Sequence, residues 1–215
     1  MMIKAYKEDR CIIFGLENAK ATFTDMALKR LSERPDNENW ELGIDSRSKA
    51  ISLELAYDVA INNGCFPGIS KSVLSSPQED YSGVDFRAYS MDGKDHFDVD
   101  VKQIAEIQEN KRKTYGIPKF LNFTSIKAKT IYECYIDVKR RMIGKKSRII
   151  APAKWIGDHV LFVAGFIWSN YMADHCLKEP KYLTENVNGN KICYMYANNM
   201  HDDIKEASSI YLPKY

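Results

Sequence analysis

Residues 96–103 alternate strictly between polar and apolar side chains, reading His-Phe-Asp-Val-Asp-Val-Lys-Gln. Period two predicts a strand with Phe97, Val99 and Val101 on a buried face and His96, Asp98, Asp100 and Lys102 on a displayed, charged one. Upstream, residues 84–89 have strand-forming composition, and Asp92-Gly93 lies midway between the two runs. Asp-Gly between β-prone segments predicts a hairpin, which brings Asp85 beside Asp100 and Lys102.

Helical spacing governs two earlier stretches. Residues 21–33 carry Phe23, Met26, Ala27, Leu28 and Leu31 at near-helical intervals, with Thr22 or Thr24 to cap the start. Residues 46–63 place Ile51, Leu55, Ala56, Val59 and Ala60 on one flank, with Ser46 or Ser48 near the start and Asn63-Gly64 as the stop. Glu54 rides on this second helix. Residues 11–14 suit a short strand, and residues 65–82 show no clear period and read as a long loop.

Beyond the hairpin, residues 104–113 read as a helical turn or two, and residues 119–124 and 130–139 as strands. The basic run 139–148 reads as a turn, residues 151–155 as the opening of a short helix, and residues 159–167 as a central strand. Residues 192–196 suit another strand, and residues 202–207 a last helix with an acidic first turn. This order predicts an α/β fold, a mixed central β-sheet flanked by α-helices.

A chain of 215 residues with 45% hydrophobic side chains is expected to make a single domain over 1–215. Its parts are an N-terminal helical extension (1–45), a motif-bearing core (46–110), a basic segment (111–154), and the remaining sheet and C-terminal helix (155–215). Five scattered cysteines with no Cys-x-x-Cys pair argue for free thiols rather than disulfides or structural zinc. The longest apolar run, residues 160–168, is too short to span a bilayer as a helix, and no basic-then-apolar leader opens the chain. A cytoplasmic protein with no membrane partner is expected. Without a glycine-rich phosphate loop, no nucleotide cofactor is expected either.

The net charge of +2 conceals an asymmetry: residues 111–154 hold 13 Lys or Arg against only Glu133 and Asp137, leaving the remainder net acidic. A field of that density suits a polyanion, of which nucleic acid is the commonest. Lys139, Arg140, Arg141, Lys145, Lys146 and Arg148 are the residues expected on phosphates, and Tyr115, Phe120 and Phe123 lie among the lysines where they could stack on bases. Two carboxylates and a lysine converging at a sheet edge suit a divalent metal and a water that it activates.

An acid on a helix (Glu54), Gly83-Val84-Asp85-Phe86 at a strand start, and Asp100-Val101-Lys102 on the paired strand resemble the PD-(D/E)XK nuclease superfamily. The motif spans residues 46–110, with Val84 where many members carry a proline. The resemblance implies a restriction-endonuclease-like core and a metal-dependent DNA endonuclease, restriction-type or phage-type. The alternatives are a structure-selective nuclease such as a junction resolvase, and an inactive DNA-binding protein on the same fold. Asp85 and Asp100, with the carbonyl of Val101, offer hard oxygen ligands to Mg²⁺, for which Mn²⁺ is expected to substitute, and Glu54 is an auxiliary ligand. Lys102 would orient or deprotonate the attacking water and offset transition-state charge. DNA is the expected partner, and a homodimer would be needed for double-strand cuts. A second Asp-Val-Lys, residues 137–139, would share a face with Glu133 and take Asp100 or Asp98 as its upstream acid, and it competes for the catalytic role.

Overall fold

The computed structural model describes residues 3–33, 44–76, 83–114, 117–130, 143, 148–171, 183–185, 191–195 and 201–206. Two short antiparallel strands open the chain, β1 (Ala5–Glu8) and β2 (Cys11–Phe14), followed by helices α1 (Ala19–Ser32) and α2 (Ile44–Asn62). Helix α1 buries Ala19, Phe23, Ala27 and Leu31, one side chain per turn. Thr22 and Thr24 do not cap it: their hydroxyls donate to the carbonyls of Asn18 and Lys20, four residues back.

Helix α2 stops where Asn63-Gly64 predicts. Gly64 takes a positive φ of 76°, its N–H donates to Ile61 O, and the N–H of Cys65 donates to Ala60 O. That pair of bonds is a Schellman motif, which needs the left-handed residue that glycine adopts without strain.

Next come β3 (Ile69–Leu74), β4 (Phe86–Ser90) and β5 (His96–Thr114). Strand β3 falls inside the stretch expected to be loop. The expected hairpin is present between β4 and β5, with Gly93 at φ 68° in its turn and Asp92 Oδ1 accepting from Ser90 Oγ and Lys94 N. Strand β5 runs on through residues 104–113, where helical turns were expected. The reason is a partner: β6 (Ile117–Thr130) folds back antiparallel along it.

The remaining strands are β7 (Ile149–Trp155), β8 (Val160–Val163), β9 (Ile167–Trp168), β10 (Leu183–Glu185) and β11 (Lys191–Met195). Residues 151–155, expected to open a helix, belong to β7, which pairs parallel with β5 through Val99↔Ile149 to Gln103↔Ala153. The expected central strand over 159–167 is divided, because Gly165 at φ 97° turns the chain between β8 and β9. Near the C-terminus, helical backbone covers residues 204–206 of the described part of the expected last helix. The described strands form one mixed sheet in the order β1-β2-β8-β7-β5-β6-β11-β10, with β3 and β4 branching from β5 and β9 from β7.

The main core lies between the two helices and one face of this sheet. Phe23, Leu31, Ile51, Leu55 and Tyr57 meet Phe14, Phe86, Val99, Val101, Ile149 and Ala151 there. Tyr57 is fully buried and donates its hydroxyl proton to Pro152 O at 3.2 Å, tying α2 to β7. Among the described residues, no helix is long and apolar enough to cross a membrane. Cys11 and Cys65 are free and buried, and burial pushes the Cys11 thiol up to about 11.

Candidate active site

The site forms where β4 leaves β5. The ladder that pairs Phe86 with Val99 continues one residue further: Asp85 N–H donates to Val99 O at 2.8 Å, and Val101 N–H donates to Asp85 Oδ2 at 2.5 Å. Antiparallel pairing thereby sets Asp85 opposite Asp100. On Asp100, Oδ1 lies 2.8 Å from Lys102 Nζ and Oδ2 lies 4.0 Å from Arg148 Nη1. Alternation along β5 puts Asp100 and Lys102 on one face, two residues apart, which is what lets the lysine fold back onto the carboxylate.

Glu54 reaches this place from α2, where it is 5% exposed. A hydrogen-bonded tie fixes its helix one turn away: Asp58 Oδ1 accepts from Ser72 Oγ at 2.7 Å on β3 and from Asn62 Nδ2 at 3.2 Å. Burial raises the Asp58 pKa, and the Ser72 and Asn62 bonds oppose that rise.

Asp85 carries the strongest electrostatic signature. Its carboxyl is held well above the usual carboxylate range, first by burial and then by the negative charges of Glu54 and Asp100, against the opposing pull of the Val101 N–H and Lys102. All four side chains singled out for catalysis, Glu54, Asp85, Asp100 and Lys102, are therefore brought together.

The polar face of β5 differs from the expected row of displayed charge. Asp100 is only 3% exposed and Asp85 8%, whereas His96 is exposed. Charge is tolerated inside because Lys102 and Arg148 neutralise it at close range. Asp98 pairs with Arg87, Oδ1 to Nε at 3.3 Å, and the His96 ring lies 5.8 Å from that of Tyr89.

Arg148, expected with the phosphate-contacting run, is 5% exposed and donates from Nη1 to Gly83 O at 2.7 Å, behind Asp100. Its part in the site was missed in the sequence. The available signal was its position directly before the buried run Ile149-Ile150-Ala151. Lys139, Arg140, Arg141, Lys145 and Lys146 lie outside the described residues, as do Glu133, Asp137 and Tyr115, and so do the side chains of Phe120 and Phe123.

Gly83 is the keystone for Arg148. It has φ +76°, and a Cβ built there would stand 2.2 Å from Arg148 Nη1. Gly83→Ala must strain the backbone and push the guanidinium off its seat, costing about 1–3 kcal/mol. A fall in Tm of about 2–4 °C per kcal/mol is expected in thermal unfolding. An unchanged Tm would show that Arg148 is not seated against Gly83.

Among the described residues, no three His, Cys, Asp or Glu side chains form a ready-made metal cage. The hard oxygen donors the site offers are the carboxylates of Asp85 and Asp100, with Glu54 behind them. Comparison with protein-family models, with curated proteins and with solved structures returned no match.

Proposed function

We propose that this chain is a metal-dependent nuclease that hydrolyses DNA phosphodiester bonds on a restriction-endonuclease-like core. The observation that carries the reading is the convergence of Glu54, Asp85, Asp100 and Lys102 around one buried carboxylate pair, with Lys102 Nζ 2.8 Å from Asp100. An acid on a helix, an aspartate at a strand start and Asp-x-Lys on its antiparallel partner are the features on which the likeness to PD-(D/E)XK nucleases rests. The net positive stretch 111–154 supports a polyanionic substrate.

The residues fit Mg²⁺ or Mn²⁺ in the manner of sites that use one or two carboxylates and leave the other positions to water and substrate phosphate. Asp85 and Asp100 would hold the cation, with Glu54 as auxiliary, and crowded like charges in a buried place are the condition that a dication relieves. When bound, the metal supplies Lewis acidity and a water of lowered pKa. Lys102, an ammonium oriented by Asp100, places positive charge where the phosphoryl oxygens become more negative and aligns the attacking water. Arg148 acts one step back, holding Asp100 and the Gly83 turn in place.

Supercoiled plasmid provides the test. Nicked or linear product is expected with Mg²⁺ or Mn²⁺ and none with EDTA, and the double variant Asp137→Ala, Lys139→Ala should still cut. Loss of activity in that double variant, with activity kept in Asp100→Asn, would move the site to the second Asp-Val-Lys. Failure to cut plasmid, linear duplex and branched DNA alike would refute the nuclease reading. A preference for the branched form would identify a structure-selective enzyme.

A further inference from the structure

Asp85 stands one residue outside the β3–β4 ladder, whose last pair is Leu74↔Phe86. Two main-chain bonds fix it there: its N–H donates to Val99 O at 2.8 Å, and its carbonyl accepts from Ser75 N–H at 3.0 Å. Ser75 in turn lies one residue past the end of β3, so the ladder does not settle its place. Arg30, in the last turn of α1, does: its Nη2 donates to Ser75 O at 2.8 Å. A hydrogen bond from an ionised donor is about twice as strong as one between neutral groups.

Arg30 also bears on the helix that carries Glu54. Asp58 follows Glu54 by one turn of α2; burial raises the pKa of its carboxyl, and the Ser72 and Asn62 bonds and then the Arg30 charge oppose the rise. One guanidinium thus lies within electrostatic reach of α2 and in hydrogen-bond contact with the residue that holds Asp85.

Stability alone does not account for this arginine. Its Nη1 is buried with no hydrogen-bond partner, and a buried donor left unpaired disfavours the folded state. Shut away from solvent, that group meets no substrate either. Ser75 Oγ is likewise buried without a partner, so the link from Arg30 to Asp85 runs through the main chain of Ser75 and not through its hydroxyl.

We propose that Arg30 is a positioning residue for the acid cluster: through the main chain of Ser75 it sets where the Asp85 carboxylate sits against Asp100 and Glu54. Its value to catalysis rests on the nuclease reading; the placement of Asp85 does not. Helix α1 thereby serves the site as well as the core.

Amide hydrogen exchange in the full chain, without metal, reads that placement directly, because Val101 N–H donates to the Asp85 carboxylate and Ser75 N–H to the Asp85 carbonyl. Arg30→Met keeps the aliphatic stem and removes the donors. It is expected to speed exchange at Ser75 and Val101 about tenfold. Ile156 and Val163, whose amides donate to Val160 O and Arg10 O, should keep wild-type rates. Because the contact is a single bond, Arg30→Lys should restore most of the protection. Mn²⁺ affinity, followed by electron paramagnetic resonance, should fall about tenfold in Arg30→Met and recover with lysine. Should Arg30→Met fail to fold, Arg30→Gln, shorter and uncharged, takes its place with the same outcomes. Wild-type exchange at Val101, equal acceleration of all four amides, no recovery with lysine, or an unaltered Mn²⁺ affinity where the wild type binds the metal overturns the proposal. The two readings fail separately. A chain whose Ser75 and Val101 amides respond but that neither binds Mn²⁺ nor cuts DNA refutes the nuclease alone, and one that cuts plasmid with wild-type exchange in Arg30→Met refutes only the role of Arg30.

Discussion

Asp100→Asn is expected to lower single-turnover cleavage of plasmid by about a thousandfold or more, with the fold intact. Asparagine keeps the size of the side chain and an oxygen that Lys102 can donate to, while removing the charge that would hold the cation. Alanine would be a poorer probe, because beyond the counter-charge that both changes remove it takes away the oxygen acceptor beside Lys102 and the buried Arg148 and leaves a gap in the core of the site. Lys102→Met is the matching change: it keeps the aliphatic stem, removes the ammonium, and should lower the rate by about a hundredfold or more while leaving DNA binding nearly unchanged. Circular dichroism of both variants checks folding. Wild-type rates in either would refute the role assigned to that residue.

Asp85→Asn should inactivate the protein and, without metal, make it more stable. The folded-state pKa of Asp85 lies above the ordinary value of 3.8, chiefly through burial and then through Glu54 and Asp100. The folded chain thus keeps a proton there that the unfolded chain releases. Stability from this group is complete below about 3.8, the unfolded value, and is lost as pH rises through the folded pKa. At neutral pH in EDTA, asparagine removes that cost and still accepts from Val101 N–H. A Tm above wild type is expected, by about 2–4 °C for each kcal/mol recovered, with the gap closing as the pH is lowered. Mg²⁺ should raise the Tm of wild type by mass action and leave the variant little changed. A variant less stable than wild type at pH 8 in EDTA would contradict this account of Asp85.

The acid cluster was legible because its supports are local. Strict alternation over residues 96–103 fixed which side chains share a face, Asp92-Gly93 marked the turn, and Asn63-Gly64 marked the end of the helix that carries Glu54. Errors arose where a distant partner decides the conformation. Ile104 and Ile107 stand three apart among helix-forming residues, yet β6 returning along the same edge makes them strand. Pro152 looks like a helix opener, but it lies in β7 between the stretch paired with β9, ending at Ile150, and the stretch paired with β8, starting at Ala153. At that gap a missing N–H breaks no ladder bond to either strand, and the proline carbonyl still accepts from Ala164 N. Strand β3 escaped notice because its burial does not alternate and its pairing with β4 shifts register after Ile69. The depth of Asp100 was equally hidden, since its neighbour Arg148 arrives from just before β7, far along the chain.

The parallel pairing of β5 with β7 sets an order of assembly. Glu54, Asp85, Asp100 and Lys102 leave the ribosome well before Arg148 and Ile149, and a parallel neighbour cannot be supplied by a tight turn. The loop-closure entropy of the intervening chain must be met before those contacts stabilise anything. During synthesis the acids therefore exist for a time without their arginine, with the β7 edge of β5 open. On the proposed reading, a nascent chain becomes competent to cut only once its later half has docked, which keeps the activity from preceding the finished fold.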